Sequence, residues 1–144
     1  QTTKAIAYIH DELHIAHRDI KIDNILLHNN VAKVTDFGFA RQIEWDAQRG
    51  RAELCDTFCG TEPYYSPQIV LRKPYDAFAA DSWAMGVTLF CMLNNKFPFH
   101  FGGGDSKAMY KEQTDPAFLR TRFVKKFPAD LVDLHEQMFM ILCE

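Results

Sequence analysis

His17-Arg18-Asp19-Ile20-Lys21-Ile22-Asp23-Asn24 packs two acids, two bases, a histidine and an amide into one short stretch. Downstream, Ile25-Leu26-Leu27, a turn-like His28-Asn29-Asn30 and the run Val31 to Val34 read as a short hairpin. Asp36-Phe37-Gly38 follows at once. A hairpin brings its two ends together, so Asn24 and Asp36 are expected to converge on one site. Upstream, Ile6, Ile9 and Leu13 recur at helical spacing, which predicts an amphipathic helix over 3–14 leading into the His17 loop.

Beyond the hairpin, residues 41–62 are polar and carry no clear period. A loop of that length inside a domain is usually functional or disordered. From Asp81 to Leu93 the pattern reverses: Trp83, Met85, Val87, Leu89, Phe90, Met92 and Leu93 leave almost no polar face. That predicts a helix buried on nearly all sides, with Asp81 in its first turn. Gly102-Gly103-Gly104 is a loop without the spacing of a phosphate cradle. Residues 105–113 are expected to form a short helix. Pro128 precedes a last one over 129–142, with Leu131, Leu134, Met138 and Ile141 as its buried face.

The chain of 144 residues has the size of one domain. Its net charge of -3 and pI near 6.1 leave no electrostatic footprint for nucleic acid. No apolar run reaches the roughly 18 residues of a membrane span, so neither nucleic acid nor membrane is expected as a partner. The first residue is Gln, and no signal-like segment follows it, so we expect a fragment of a longer cytoplasmic or nuclear protein. Cys55, Cys59, Cys91 and Cys143 lack paired zinc spacing and are expected as free thiols. His10, His14 and His17 could share a helix face as metal ligands, but His17 already belongs to the polar stretch and the other two read as helix surface.

Phosphoryl transfer from a nucleotide needs few parts. A carboxylate orients the attacking hydroxyl, hard oxygen ligands hold Mg²⁺, and a cation offsets charge on the transferred group. Asp19, Lys21, Asn24 and Asp36 supply that set. The joint pattern H-R-D-x-K-x-x-N followed at short range by D-F-G is highly specific, and with it the sequence resembles the protein kinases over nearly its whole length. Asp81-Ser82-Trp83-Ala84-Met85-Gly86 is similar to the start of that family's large buried helix, and Gly60-Thr61 through Ser66-Pro67-Gln68 to the end of its activation segment.

The resemblance implies a mainly α fold with short β-hairpins, the C-terminal lobe of a kinase domain, across residues 1–144. It implies Ser/Thr protein phosphorylation with ATP and Mg²⁺. Asp19 would be the catalytic base, Lys21 would stabilise the γ-phosphate, and Thr61 would brace both. Asn24 and Asp36 would bind Mg²⁺ and the nucleotide phosphates, and Asp81 would anchor the loop backbone at His17 and Arg18. Arg18 and Thr57 would be regulatory, Thr57 as a phosphosite paired with Arg18. Asp23 would read a basic residue on a protein substrate. Asp36-Phe37-Gly38-Phe39-Ala40-Arg41, Thr57-Phe58-Cys59-Gly60 and Trp83-x-Met85-Gly86-Val87 resemble the testis-specific serine kinases of the calmodulin-dependent kinase group.

Two departures stand against the pattern. These residues include no glycine-rich loop, no Val-Ala-Ile-Lys lysine and no partner glutamate, so the segment alone is expected to bind ATP poorly and be inactive. Gln68 replaces the Glu of the family, with no candidate Arg partner after Arg122. A pseudokinase or truncated scaffold that binds protein partners is the alternative expectation.

Overall fold

Asp76 starts the element around which the rest is arranged. Its carboxylate accepts from the Phe78 and Ala79 backbone N–H groups at 2.8 and 3.2 Å, a side-chain cap for a helix that runs Ala77–Asn94. In the computed structural model, which describes residues 1–47, 50–124 and 127–140, this helix follows shorter elements that we label first. They are α1 (Thr2–Asp11), the hairpin β2 (Ile25–His28) and β3 (Val31–Val34) that follows the two-residue β1 (Ile15–Ala16), and the short α2 (Pro67–Val70). The capped helix is α3. Behind it come α4 (Ser106–Gln113), α5 (Pro116–Arg122) and α6 (Ala129–Met140).

As expected, α3 is wrapped on nearly all sides. Trp83, Val87 and Phe90 are wholly buried, and Met92 is its exposed apolar exception. The Trp83 ring lies 5.7 Å from Phe99 and 4.7 Å from Phe139, an aromatic packing worth several kcal/mol, of order ~3–5, if truncated to alanine. The helix stops at Asn95, which adopts a left-handed φ of 53° and returns its N–H to Cys91. Its start differs from expectation. The helix begins at Ala77, so Asp81 sits beyond the first turn and does not serve the helix dipole.

The hairpin expected after Asn24 is present, in register Ile25↔Val34 to His28↔Val31. Asn29 and Asn30 make its turn at φ 50° and 61°, the positive angles a tight two-residue hairpin turn requires. Other boundaries moved. α1 ends at Asp11, three residues early, because His14 turns left-handed and Ile15–Ala16 pairs with Arg41–Gln42, strand β4. Leu13 is therefore exposed rather than part of an apolar face. The segment 41–62 is not featureless. β5 (Trp45–Asp46) pairs with β6 (Arg51–Ala52), and Cys55 exchanges both backbone bonds with Tyr75. The strands are two residues long and Tyr75 lies twenty positions from Cys55, so no local period announces them.

The last helix buries a different stripe from the one expected. Leu134 is exposed, whereas His135 and Phe139 are buried; Ile141 lies outside the described residues. The aromatic wall explains the choice: His135 and Phe139 face Phe90, Phe123 and Trp83. Counting histidine as polar hides that face. α5 was not expected at all, although Asp115 caps it at Ala117 and Pro116 opens it. Cys55, Cys59 and Cys91 are free thiols, and Cys143 lies outside the described residues. Among the described residues, no helix is long and apolar enough to cross a membrane.

Gly86 is the close approach between α3 and α6. A Cβ there would stand 3.1 Å from the Phe139 ring and 3.3 Å from the Met138 Cβ. We expect Gly86→Val to cost about 1–3 kcal/mol by overpacking, read as a lowered urea midpoint. His135 donates from Nδ1 to the Leu131 carbonyl at 3.0 Å, while its buried Nε2 has no partner. Burial holds this imidazole below its ordinary value of 6.5, so folding favours the neutral ring. Its contribution is present above 6.5 and is lost as pH falls. The thermal midpoint should drop as pH falls below about 6.5, and His135→Leu should flatten that slope; equal slopes would refute the role.

Candidate functional site

Asp19 follows β1 on a loop whose backbone is held from beneath. The buried Asp81 carboxylate accepts from the His17 N–H at 2.7 Å and from the Arg18 N–H at 2.8 Å. This matches the anchoring expected of it. A third bond comes from His10 Nε2, 2.8 Å from the same carboxylate. His10 was read as helix surface; it is instead a partner of the anchor, tilted against the Phe78 ring at 4.7 Å. His14 lies past the end of α1, so the three histidines share no helix face. Among the described residues, no group of three metal-ligating side chains assembles.

His17 is fully buried and uses both ring nitrogens. Nε2 donates to the Thr35 carbonyl at 3.0 Å, and Nδ1 accepts from the Asp19 N–H at 3.3 Å. Its ring also packs on Phe37 at 4.8 Å. A histidine so engaged is a strut between the loop and the Asp36 turn, not a base.

Around Asp19 three expected residues meet. Lys21 Nζ donates to Asp19 Oδ2 at 2.8 Å and to Thr61 Oγ1 at 2.9 Å. Thr61 Oγ1 donates to Asp19 Oδ1 at 2.7 Å. Asn24 Nδ2 donates to the Asp19 carbonyl at 2.8 Å and reaches Oδ2 at 3.2 Å. Burial pushes the Asp19 carboxyl up, but the bonds from Lys21, Thr61 and Asn24 and the Lys21 charge outweigh it. The group is held below the usual carboxylate range.

Thr61 gets there because of Gly60. A Cβ on Gly60 would lie 2.6 Å from the Arg18 carbonyl, and its φ of 99° is one that other residues rarely adopt. The Tyr65 hydroxyl donates to the Gly60 carbonyl at 3.2 Å and fixes the same approach. Neither residue was singled out for this role from sequence; the contact crosses forty positions and leaves no periodic trace.

The hairpin does join Asn24 to the Asp36 turn. Thr35 N–H donates to the Asn24 carbonyl at 3.0 Å, one residue before Asp36. Asp36 stands left-handed at φ 62°, exposed, with Oδ1 accepting only from the Gly38 N–H at 3.3 Å. Asn24 spends its amide nitrogen on Asp19, which leaves its oxygen for a cation. One carboxylate and one amide oxygen are too few for an all-protein cage. They suit Mg²⁺, which takes one or two protein ligands and completes its shell with phosphate and water.

Arg18 donates from Nε to the Phe39 carbonyl at 2.7 Å, while its Nη1 is buried without a hydrogen-bond partner. Thr57 is exposed; its hydroxyl reaches Asp56 at 3.4 Å and its carbonyl accepts from the Tyr75 hydroxyl at 3.0 Å. The Arg18 charge also acts on the Tyr75 hydroxyl, which donates to the Thr57 carbonyl, so Tyr75 connects the two regulatory candidates. Asp23 is exposed on the 3-10 turn Ile22–Asn24. Of the late arginines, Arg120 pairs with Glu136, and Arg122 bonds the carbonyls of Phe97 and Pro98.

Because Lys21 is the nearest charge on Asp19, Lys21→Met should raise the Asp19 pKa, followed through its carboxyl carbon by NMR. Asp19 contributes stability above the unfolded value near 3.8, lost as pH falls through its lower folded value. The variant should therefore be less stable at neutral pH and show a shallower acid limb. An unshifted titration would contradict the assigned network.

The family described as the protein kinase domain matches residues 1–141. Serine/threonine-protein kinase kin-29 of Caenorhabditis elegans is 41% identical over 69% of this chain and 11% of its own length. Testis-specific serine/threonine-protein kinase 3 of Mus musculus is 41% identical over 69% of this chain and 35% of its own. CBL-interacting serine/threonine-protein kinase 18 of Arabidopsis thaliana is 38% identical over 93% of this chain and 24% of its own. The chain thus spans about a third or less of the relatives it matches. The resemblance to the testis-specific kinases stands among them, and the helical body with short antiparallel strand pairs agrees with part of a kinase fold. With the residues around Asp19 and Asp36 in this arrangement, the chain belongs to the protein kinase domain family, among relatives that are serine/threonine kinases.

Proposed function

We propose that the protein transfers the ATP γ-phosphate to Ser or Thr hydroxyls of protein substrates. One observation carries this reading: a single carboxylate, Asp19, is held ionised by Lys21, Thr61 and Asn24 while the exposed Asp36 stands at the other end of the hairpin. Bound ATP and Mg²⁺ would supply the phosphoryl group and neutralise charge on it. Asp19 orients the substrate hydroxyl and accepts its proton as it attacks. Lys21, already pointing at the same place, offsets the charge that builds on the transferred group. Thr61 keeps Lys21 and Asp19 in register. Asn24 and Asp36 would hold the cation.

Arg18 supports a regulatory arm. A phosphate on the exposed Thr57 adds nearly two charges, and the Arg18 guanidinium has a buried nitrogen without a hydrogen-bond partner. Asp23, exposed beside Asn24, favours substrates with a basic residue near the target.

Asp19→Asn should lower kcat by roughly 10²–10⁴ on a Ser-containing peptide with ATP and Mg²⁺ in the intact gene product, with little change in thermal midpoint. Full activity in that variant would remove the assignment. The segment 1–144 alone should show no phosphotransfer, since its residues include no glycine-rich loop to grip the nucleotide. Magnesium-dependent turnover by the segment would contradict that. Thr57→Ala should lower activity relative to wild-type protein isolated with phosphate at Thr57, and equal activity would dismiss the switch.

A further inference from the structure

Gln113 ends α4, one helical turn after Met109, on the face that the helix buries; each of the two is 5% exposed. A buried polar group costs stability unless it is bonded, so an amide on this stripe needs a reason. Its Nε2 donates to the Tyr65 carbonyl at 2.8 Å, while its buried Oε1 is left without a hydrogen-bond partner. A methionine would fill the same space without an orphaned oxygen. Packing therefore does not account for the amide, and its one bond points at Tyr65.

Tyr65 closes the segment that carries Thr61. Glu62–Tyr64 form a 3-10 turn, with the Tyr64 N–H donating to the Thr61 carbonyl at 2.9 Å and the Tyr65 N–H to the Glu62 carbonyl at 3.0 Å. The Tyr65 hydroxyl then folds back to the Gly60 carbonyl at 3.2 Å. Gly60 has no slack, since a Cβ there would stand 2.6 Å from the Arg18 carbonyl. Inside this closed loop, Thr61 donates to Asp19 at 2.7 Å and accepts from Lys21 at 2.9 Å. Tyr65 lines both the cleft at Asp19 and a larger cavity of about 540 Å³ bordered by Glu62, Asp105 and Met109. With open space on two sides, its place is set by polar ties.

α4 is itself fixed. Asp105 caps its start by accepting from the Lys107 and Ala108 N–H groups, and Glu112, next to Gln113, accepts from the His100 N–H at 2.8 Å. His100 follows Phe99, whose ring stacks on Trp83 of α3 at 5.7 Å. The Asp19 site thus hangs from α3 on two sides: directly at Asp81, and by way of α4, Gln113 and Tyr65 at Thr61.

We infer that Gln113 is a positioning residue for phosphoryl transfer: through Tyr65 it holds Gly60 and Thr61 where Thr61 can align Asp19 and Lys21. The inference rests on the kinase reading above and adds to it a residue set back from Asp19 behind Tyr65.

Gln113→Met keeps an unbranched side chain and deletes the donor; Tyr65→Phe deletes only the hydroxyl. In the intact protein at saturating ATP and Mg²⁺, each should slow single-turnover phosphorylation of a Ser peptide roughly threefold to thirtyfold, the range for coupling through a contact network. KM for ATP should not move, because the lost contact acts on the transfer step. The thermal midpoint of Gln113→Met should change little, since the unpaired oxygen leaves with the bond. The double variant should be no slower than the slower single one, because both changes cut one line of contacts. Amide hydrogen exchange across residues 60–66 should quicken in both single variants while that of α3 holds. If Gln113 only holds the fold together, the midpoint falls and the rate loss disappears once rates are normalised to the ATP-binding fraction. That pattern, an unchanged transfer rate in either variant, or losses that add in the double variant, would overturn the positioning role and leave the kinase reading standing. A wild type that phosphorylates no Ser or Thr peptide would overturn both.

Discussion

Much of this molecule hangs on one buried carboxylate. Asp81 sits inside α3 and takes the His17 and Arg18 N–H groups and the His10 ring. A helix otherwise surrounded by aromatic side chains has no other polar reason to hold a charge there. Leaving that carboxylate without its partners would cost more than any of the bonds returns in isolation. The arrangement is therefore strongly preferred as a set, and it nails the Asp19 loop to the most rigid element of the fold. Arg18 pays for this with a left-handed φ of 67°.

From that anchor the site is assembled by three further ties, each from a different part of the chain. His17 joins the loop to the Thr35 carbonyl, the Asn24 carbonyl takes the Thr35 N–H, and Thr61 arrives from the far side across Gly60. Rigid helices and a tight hairpin place the chemistry, while the charged groups are aimed by hydrogen bonds rather than by packing. The same logic separates the two cavities. The cleft at Asp19 is small, and the larger cavity behind Tyr65 carries Glu62 and Asp105 on its lining, so the two share Tyr65 and Ile69 as a common wall.

Local patterns were most reliable where one segment decides its own conformation. The hairpin at Asn29-Asn30 is set by two residues that tolerate positive φ, and α3 is announced by an apolar run too dense for any exposed helix. They failed where a distant partner decides. The end of α1 depends on β1 pairing with β4, and the order within 41–62 depends on Tyr75 and on short strand pairs. On α6 the leucines pointed one way, and the aromatic cluster around Phe90 and Phe123 drew His135 and Phe139 inward instead.

The chain's identity and its chemical inventory were legible in the sequence, because the spacing of Asp19, Lys21, Asn24 and Asp36 is dense enough to be specific, and short-range backbone rules keep those residues near one another. Tertiary structure alone decided how that inventory is wired. The bond from Thr61 to Asp19, the use of both His17 nitrogens, the recruitment of His10 to Asp81 and the cavity behind Tyr65 all join residues far apart in the chain. Such contacts follow from which surfaces the core forces together, and a one-dimensional pattern carries no record of that.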